Sequence, residues 1–366
     1  MDKQLFVTTI PHFSETNLNS FCWFLEYGLS DELRNFASAL NLNEKLNIRV
    51  YSEEFVLKRP KYSSVQCKRY DLTYAIRIYV PIELIEEGTV NEYLAFFGEI
   101  PLMTEEGTFI INGCERVIIN QIIRSPGIYY RRETQEKTLQ YSATLISDRG
   151  SWLKFEFETG TVQIRLNKAT TVDFYHLLET CGITNFDPST KFNLAILNKS
   201  IQQTPISDFD TNLLTKNLTN NQNINFDSNK GSEDNYLQIF NEKVYSLGKI
   251  GRKKLNSRLG LSIPDSITRV TIDDVIAISN YLVDLHANLG ELDDIDNLRN
   301  RRVRSIGELL QIQYGIGLSR LERSINERLM ITNSTAFKVA TIINPKPIIA
   351  SIKEFFGSSQ LSQFMD

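Results

Sequence analysis

Carboxylates and guanidinium groups share one short segment of this chain. Three aspartates are followed at once by four arginines: Asp293, Asp294, Asp296, Arg299, Arg301, Arg302 and Arg304. Clustered carboxylates can hold Mg²⁺ in a nucleotidyl transferase. The same carboxylates can equally form a solvated acidic loop or serve as salt-bridge partners for the arginines. We favour the second interpretation, so we predict neither a metal site nor a catalytic residue here.

The remaining residues that could do chemistry form no catalytic motif. The sequence contains no Walker loop, Rossmann glycine fingerprint, nucleophile elbow or HExxH pair. Its cysteines lie at least 45 residues apart: Cys22, Cys67, Cys114 and Cys181. Its histidines are isolated: His12, His176 and His286. A zinc site needs clustered ligands, so we expect no metal and interpret the cysteines as buried thiols in a reducing compartment.

Two further basic segments suggest nucleic-acid contact. One contains Lys249, Arg252, Lys253, Lys254 and Arg258, and the other contains Arg124, Arg131 and Arg132 beside Tyr129 and Tyr130. Guanidinium groups suit phosphate oxygens and guanine edges, and aromatic rings can stack on unpaired bases. Runs of charge are more often solvated surfaces, so composition alone leaves this question open. Whether Trp152 contacts nucleic acid is also undecided, since a lone tryptophan in a strand pattern is more often part of the core.

Length and composition predict a globular protein of two domains. The chain has 366 residues, of which 42% are hydrophobic and 23% charged. A net charge of −4 argues against a small basic DNA-binding domain. No apolar run is long enough to span a membrane, and we recognise neither a signal peptide nor a transit peptide. We therefore expect the protein to act where it is made, or to be encoded in the organelle that it serves.

The first half of the chain shows mostly extended patterns. We predict a helix at 14–27 that ends at Gly28, extended chain at 49–80, and β-rich structure at 139–166. The dipeptide Asn112-Gly113 lies between two apolar runs and predicts a tight hairpin turn. The polar, asparagine-rich segment 217–235 predicts a flexible surface insertion.

In the second half of the chain, capping motifs predict the N-termini of two helices. Thr271 and Asp274 form one cap, and Ser305 and Glu308 form another. The first helix carries an apolar stripe of Val275, Ile278, Leu282 and Leu285, and the second carries Ile306, Leu310, Leu318, Leu321, Ile325 and Leu329. Gly315 and Gly317 are expected to weaken the second helix by roughly 1 kcal/mol each relative to alanine.

Several segments carry long motifs. The segment 105–118 reads EEGTFIINGCERVI, 124–130 reads RSPGIYY, and 293–304 reads DDIDNLRNRRVR. Shorter motifs are 21–25, 67–74, RGSW at 149–152 and FFGSSQLSQFMD at 355–366. In this order, these segments resemble the β subunit of bacterial and plastid multi-subunit RNA polymerases. The resemblance implies an α+β fold with two domains. A mixed α/β protrusion would be built from 1–115 and 299–366, where the fork begins, and a β-rich lobe at 116–298 would be inserted between them.

The resemblance also implies two groups of site residues. Those expected to contact the non-template DNA strand near the downstream duplex are Arg124, Trp152, Ile295, Asp296, Arg301 and Arg304. Trp152 would stack on an unpaired base, while Ile295, Asp296 and Arg301 would line a pocket for a flipped-out guanine. Those expected near the rifamycin site, along the RNA exit path, are Gln121, Leu361, Ser362, Gln363, Phe364 and Asp366. Arg299 and Asn167 depart from the glycine and aspartate that the family often has.

As implied by the resemblance, the chain would form one jaw of the DNA cleft and would not catalyse nucleotidyl transfer alone. The active-centre residues of β come later in the family sequence, and Mg²⁺ is held by β′. Expected partners are the C-terminal section of β, β′, the α dimer, a sigma factor, DNA and nascent RNA, with no membrane.

The chain would be either a split-gene product or a truncated sequence. Its asparagine content and RSPGIYY favour a plastid, otherwise the bacterial cytoplasm.

The residues alone leave open two functions of other classes. One is a stand-alone DNA-binding or regulatory module that reuses the polymerase lobe. The other is an independent enzyme that uses the carboxylates at 293–296.

Overall fold

The computed structural model describes residues 14–40, 48–86, 89–135, 138–158, 161–165, 171–174, 245–331 and 343–365. The chain forms two compact units. Unit 1 comprises Met1–Ile122 and Val303–Asp366, and unit 2 comprises Ile123–Arg302. Both contain helices and antiparallel strands, which confirms the α+β class. The predicted insertion at 217–235 lies outside the described residues, as do Asp366, Asn167 and Cys181.

The described residues form fourteen strands. In unit 1 and at its junctions these are β1 (Ile48–Val50), β2 (Val56–Lys58), β3 (Ala75–Glu86), β4 (Thr89–Pro101), β5 (Phe109–Ile111), β6 (Cys114–Ile118) and β7 (Gln121–Arg124). They continue with β8 (Gly127–Gln135), β9 (Thr138–Ile146), β10 (Leu153–Glu158), β11 (Thr161–Arg165), β12 (Thr171–Asp173), β13 (Arg301–Arg304) and β14 (Ser362–Phe364).

The same residues form seven α-helices: α1 (Glu15–Trp23), α2 (Leu29–Leu40), α3 (Ser64–Arg69), α4 (Gly248–Leu259), α5 (Ile272–His286), α6 (Ile306–Ile331) and α7 (Lys346–Ser358). A π-helical turn, Phe24–Gly28, joins α1 to α2, and a 3-10 turn, Leu298–Asn300, precedes β13. No helix in these ranges is both long and apolar enough to cross a membrane.

Unit 1 is held by one large apolar core. The strands β1, β2 and β4 pair with β3, and β5, β6 and β14 form a second antiparallel sheet. The helices α1, α2, α6 and α7 contribute side chains to the same buried cluster as β3 and β4. The predicted stripe on α6 is confirmed, since Ile306, Leu310, Leu318, Leu321 and Ile325 are all buried, while the side chain of Leu329 is outside the described set.

The predicted end of the first helix at Gly28 is wrong. The chain passes through the π-helical turn and continues as α2. Phe24 and Leu29, five residues apart, are both completely buried. An ordinary helix would place residues five apart on different faces, and the wider π turn brings them to the same one. Tertiary burial therefore keeps the helix going where Gly28 predicted an end.

Short local signals were also missed within 49–80, which was predicted to be extended throughout. The structure contains α3 in this range, starting with a capping box in which Ser63 and Gln66 exchange side-chain and backbone hydrogen bonds. The prediction that the cysteines are buried is only partly correct. Cys67 is buried as predicted, but Cys22 and Cys114 are exposed because they lie on the outer face of α1 and beside the β5–β6 turn.

The hairpin predicted from Asn112-Gly113 is confirmed. Ile111 pairs with Cys114, and the two turn residues have φ values of 49° and 79°. Within this hairpin, Glu115 accepts hydrogen bonds from Lys68 Nζ at 2.7 Å and Thr108 Oγ1 at 2.6 Å. These two donors hold the pKa of Glu115 below its usual range.

We expect Lys68→Met to raise the pKa of Glu115, because it removes the donor with the largest effect. A lowered folded-state pKa adds stability above the unfolded-state pKa, about 4.3. That stability is lost as the pH falls through the folded-state pKa. NMR titration of the Glu115 carboxyl checks both points, with Lys61→Met as a control that removes an exposed lysine that is not bonded to Glu115. An unchanged Glu115 titration in Lys68→Met would contradict this assignment.

Unit 2 consists of a five-stranded antiparallel sheet covered by two helices. The strand order is β12-β11-β10-β9-β8, and α4 and α5 contribute to the core with the inward side chains of β8, β9 and β10. This confirms the β-rich prediction for 139–166. The capping box of Thr271 and Asp274 is present, and the predicted stripe is buried at Val275, Ile278, Leu282 and Leu285.

One residue of the predicted basic surface lies inside this core. Arg252 is completely buried and donates from Nη1 to Asp274 Oδ1 at 2.6 Å and from Nε to the carbonyl of Ile267 at 2.7 Å. Its Nη2 donates to the carbonyl of Arg269. Asp274 also accepts from the backbone N–H of Thr271 at 2.7 Å. The prediction of Arg252 as a surface cation is therefore wrong, because Arg252 ties α4 to the start of α5.

Candidate nucleic-acid interface

The turn at residues 125–127 and the loop at 291–300 are fastened together within unit 2. The backbone N–H of Ser125 donates to the carbonyl of Asn300 at 2.9 Å, and the Tyr129 hydroxyl donates to the carbonyl of Ser125 at 2.7 Å. Burial raises the pKa of Tyr129 to about 12, so this hydroxyl remains a donor at neutral pH. Tyr129 and Tyr130 are both buried, so neither ring offers a face for stacking on a base.

Asp293 fixes the start of the 291–300 loop. It makes two hydrogen bonds to the Tyr130 backbone, since Asp293 N donates to Tyr130 O at 2.9 Å and the side-chain Oδ2 of Asp293 accepts from Tyr130 N at 3.0 Å. Arg258 Nη2 lies 3.2 Å from Asp293 Oδ1. Asp293 is thus bound to protein groups on both sides, and it acts as a structural anchor.

Ile295 is buried rather than part of an open pocket. Only 3% of its surface is exposed, and it packs with Tyr129 and Ile146 in a small apolar cluster. Ile295 therefore offers almost no surface of its own for contact with a base, and its place in a pocket stays a prediction. Because Ile295 points into the protein, the next residue, Asp296, points towards solvent. The Asp296 side chain is 65% exposed.

Asp296 lies among arginines from three separate strands. Its Oδ1 accepts from Arg301 Nη2 at 2.7 Å and lies 4.0 Å from Arg124 Nη2. The hydrogen bond from Arg301 and the charges of Arg301, Arg124 and Arg131 hold the pKa of Asp296 below its usual value. This confirms the interpretation of these carboxylates as salt-bridge partners. An ionised Asp296 is a hydrogen-bond acceptor only, and its Oδ2 accepts no hydrogen bond from the described residues.

Trp152 is half exposed beside Arg124. The residue is 50% exposed, and the Arg124 guanidinium carbon lies 5.8 Å from the ring centroid. The loop before it is fixed because the Ser147 hydroxyl donates to the carbonyl of Gly150 at 3.1 Å and Arg149 pairs with Ser246. A core position for Trp152, which its strand context favoured, is therefore wrong. The ring offers an open face on a rigid support.

The structure brings four of the six predicted DNA contacts together: Arg124, Trp152, Asp296 and Arg301. Arg304 is different. Along β13 exposure alternates, so Arg301 and Val303 point to one side while Arg302 and Arg304 point to the other. Arg302 Nη2 donates to Asp148 at 3.1 Å. Arg131 was recognised only as part of a basic segment, and its effect on Asp296 adds it to the cluster.

The residues predicted near a rifamycin site lie in unit 1. Ser362, Gln363 and Phe364 form β14 and pair with Ile118, Val117 and Arg116 of β6. Leu361 accepts through its carbonyl from Ile119 N at 2.9 Å. Phe364 is 61% exposed beneath the Arg116 guanidinium, and Gln121 follows β6 at the start of β7. The geometry gathers residues 361–364 on one sheet and leaves their role a prediction.

The cluster in unit 2 can bind an unpaired nucleotide. It combines an aromatic face, three guanidinium groups and one ionised carboxylate that retains a free oxygen. Aromatic faces stack on bases, guanidiniums bind phosphates, and a carboxylate accepts from the amino and imino groups of guanine. In the part of the chain that the structure describes, no three His, Cys, Asp or Glu side chains are arranged to hold a metal ion.

Comparison with known proteins shows which protein family this chain is similar to. Residues 124–304 match the family described as RNA polymerase Rpb2, domain 2. The chain is 44% identical over 363 residues to the DNA-directed RNA polymerase subunit beta of Guillardia theta, covering 98% of this chain and 33% of that protein. It is 43% identical over 364 residues to the same subunit of Synechococcus elongatus, with the same two shares. This chain belongs to the β-subunit family of DNA-directed RNA polymerases.

The residues matched by the family include the whole nucleic-acid cluster. It begins at Arg124 and ends at Arg304, so all six predicted DNA contacts fall within it. The chain spans about a third of the length of the β subunits that it matches, and the match is to their N-terminal section. Within that section, this chain places the exposed Trp152 and the arginines around the Asp296 carboxylate.

Proposed function

We propose that this chain is the N-terminal section of a polymerase β subunit and that unit 2 binds the non-template DNA strand near the downstream duplex. The observation that carries the proposal is the exposed ring of Trp152 beside Arg124, with Asp296 held ionised next to it by Arg301. In this assignment unit 2 is the lobe and unit 1 is the protrusion, with their junctions inside β7 and β13.

Each side chain has a distinct task at this site. Trp152 stacks on an unpaired base, and Arg124 supplies positive charge beside the ring. Asp296 accepts hydrogen bonds from the N1–H and N2–H₂ groups of a flipped-out guanine through its free oxygen. Arg301 holds Asp296 in place and keeps it ionised. Ile295 supports this loop from below instead of contacting the base.

Catalysis belongs to the assembled enzyme. We assign no catalytic residue to this chain, and we place Mg²⁺ on β′. The partners are the remaining section of β, β′, the α dimer and a sigma factor. Residues 361–364 and Gln121 would lie near nascent RNA. We place the protein in a plastid, or otherwise in the bacterial cytoplasm, because its relatives include cryptophyte and cyanobacterial β subunits. The long identity to β subunits supports these assignments.

We expect Trp152→Ala, in the assembled polymerase, to weaken binding of a forked DNA by about 1–3 kcal/mol, the usual contribution of one stacked base. Asp296→Ala is expected to remove about 1–3 kcal/mol of discrimination for guanine at one non-template position. Open-complex lifetimes on templates that differ only at non-template bases measure both effects.

Two variants serve as controls for this experiment. Trp152→Phe keeps an aromatic face and should retain most of the binding. Tyr62→Ala removes a comparably exposed ring from unit 1 and should leave open-complex lifetimes unchanged. If Trp152→Ala and Asp296→Ala behave like wild type on every template, the proposed site is incorrect.

A further inference from the structure

Most guanidinium groups around the 291–304 loop have a carboxylate partner. Arg258 pairs with Asp293, Arg301 with Asp296, and Arg302 with Asp148. Arg299, which is exposed, pairs with no carboxylate in the described part of the chain. Lys254, which is half-buried on α4, likewise has no carboxylate partner among the described residues. Among the cations near the loop that lack such a partner, these two are close enough for their charges to interact.

Lys254 is held in a defined position against the 125–127 turn. The helix α4 approaches this turn closely, since a Cβ on Gly251 would lie 3.0 Å from Pro126 Cβ. One helical turn on, a Cβ on Gly127 would lie 3.4 Å from Lys254 Cβ and 3.6 Å from its Cδ. Gly127 has a φ of +144° and leaves room for the aliphatic part of Lys254 to cross the backbone. The aliphatic part of the lysine side chain therefore lies close to the backbone of this turn.

The 3-10 turn that carries Arg299 is bonded to the same 125–127 turn. The Asn297 side chain accepts from Arg299 N at 3.0 Å, which fixes the 3-10 turn that carries Arg299. The next residue, Asn300, accepts from Ser125 N at 2.9 Å. Lys254 lies beside Gly127, and the residue after Arg299 is bonded to Ser125, so both cations lie near one short turn that follows Arg124 of the nucleic-acid interface.

The two cations repel each other in this arrangement. Burial and then the positive charge of Arg299 lower the pKa of Lys254. An anion bound to both would remove the repulsion and supply the missing partner. A phosphate group fits this role because it can accept from a planar guanidinium and from an ammonium group at once.

We propose that Lys254 and Arg299 form a two-cation site for a phosphate group, occupied by a backbone phosphate of the strand bound at the adjacent interface. The identity of the occupant rests on the proposed function of unit 2. The same chemistry would bind a free polyphosphate, such as that of a nucleotide, so the test includes an arm for each source.

Salt dependence of DNA binding measures this site in the assembled polymerase. Each neutralised phosphate adds roughly 0.9 to the slope of log affinity against log salt concentration. With a fluorescein-labelled forked DNA between about 50 and 200 mM salt, Lys254→Met and Arg299→Met should each lower the slope by about 0.9. The double variant should lower it no further than either single variant, because both side chains serve one phosphate.

Lys253→Met is the matched control. Lys253 is the neighbouring residue on α4, carries the same charge and is exposed. Its replacement should leave the slope at the wild-type value. A slope lowered equally by Lys253→Met and Lys254→Met would show a diffuse charge effect and overturn the proposal. Wild-type slopes in both Lys254→Met and Arg299→Met would overturn it as well.

The second arm uses inorganic tripolyphosphate, first without DNA and then in competition with it. Because the same two cations accept any phosphate group, equilibrium dialysis should give weaker tripolyphosphate binding for the double variant than for wild type. If the occupant is a strand phosphate, tripolyphosphate should not displace the forked DNA from wild type at equal concentrations, and displacement there would overturn the strand assignment. Failure of the proposed function is distinguishable, because it would appear as loss of base dependence at Trp152 and Asp296, whereas Lys254 and Arg299 should act equally on all sequences.

Discussion

Arg252→Met is expected to lower the free energy of unfolding of unit 2 by about 3–5 kcal/mol. Arg252 and Asp274 are both completely buried, and their side chains meet at 2.6 Å. Removing the arginine leaves the Asp274 carboxylate without its cation, and the carbonyls of Ile267 and Arg269 lose their donors. A buried charge without a partner is costly because its hydration is not replaced.

Urea unfolding of the full chain measures this effect. The chain has two tryptophans, Trp23 in unit 1 and Trp152 in unit 2, so Trp23→Phe makes fluorescence specific for unit 2. Adding Asp274→Asn to Arg252→Met should recover part of the loss, because no buried charge then remains. Arg34→Met is the exposed control, and its ion pairs should contribute less than about 1 kcal/mol. Equal effects of Arg252→Met and Arg34→Met would contradict the assignment.

The second large effect is expected for Gly307→Ala, which should destabilise unit 1 by about 1–3 kcal/mol or more. A Cβ at this position would overlap the backbone carbonyl of Ser20 on α1. The same contact includes a hydrogen bond from Gly307 N to Ser20 Oγ at 2.9 Å. A backbone atom cannot rotate away as a flexible side chain can, so α1 and α6 must separate.

Gly357→Ala provides a matched control within another helix of unit 1. No described atom lies within 4 Å of a Cβ added at Gly357. Alanine there should stabilise the protein by about 0.5–1 kcal/mol, since glycine is the weaker helix former. Both variants make the same chemical change in a helix, so their opposite signs in urea unfolding isolate the close approach of α1 and α6. Stabilisation by Gly307→Ala would disprove that approach.

The glycines of α6 show why helix propensity was an incomplete guide. Gly315 and Gly317 were expected only to weaken the helix. In the structure, a Cβ at Gly315 would lie 2.6 Å from Glu32 Oε2, and one at Gly317 would lie 2.6 Å from Ser351 Oγ. These glycines let α2 and α7 pack closely against α6. That benefit depends on partners more than thirty residues away in the chain, which no local pattern contains.

The sequence by itself determined the features that depend on neighbouring residues and on long motifs. The Asn112-Gly113 turn, the cap of Thr271 and Asp274 and the apolar stripes follow from local hydrogen bonding and helical periodicity. The colinear motifs also determined the family, because several long matches in one order are specific. These conclusions needed no tertiary contact.

Only the tertiary structure decided which side chains are accessible. Arg252 and Ile295 have the types of surface residue and pocket residue that the sequence suggested, yet both are buried. Trp152 is exposed although strand patterns favour burial. The physical reason is that exposure is set by atoms brought together from distant parts of the chain. The pairing of Asp296 with Arg124 and the convergence of Lys254 and Arg299 arise in the same way, from strands and helices that meet only after folding.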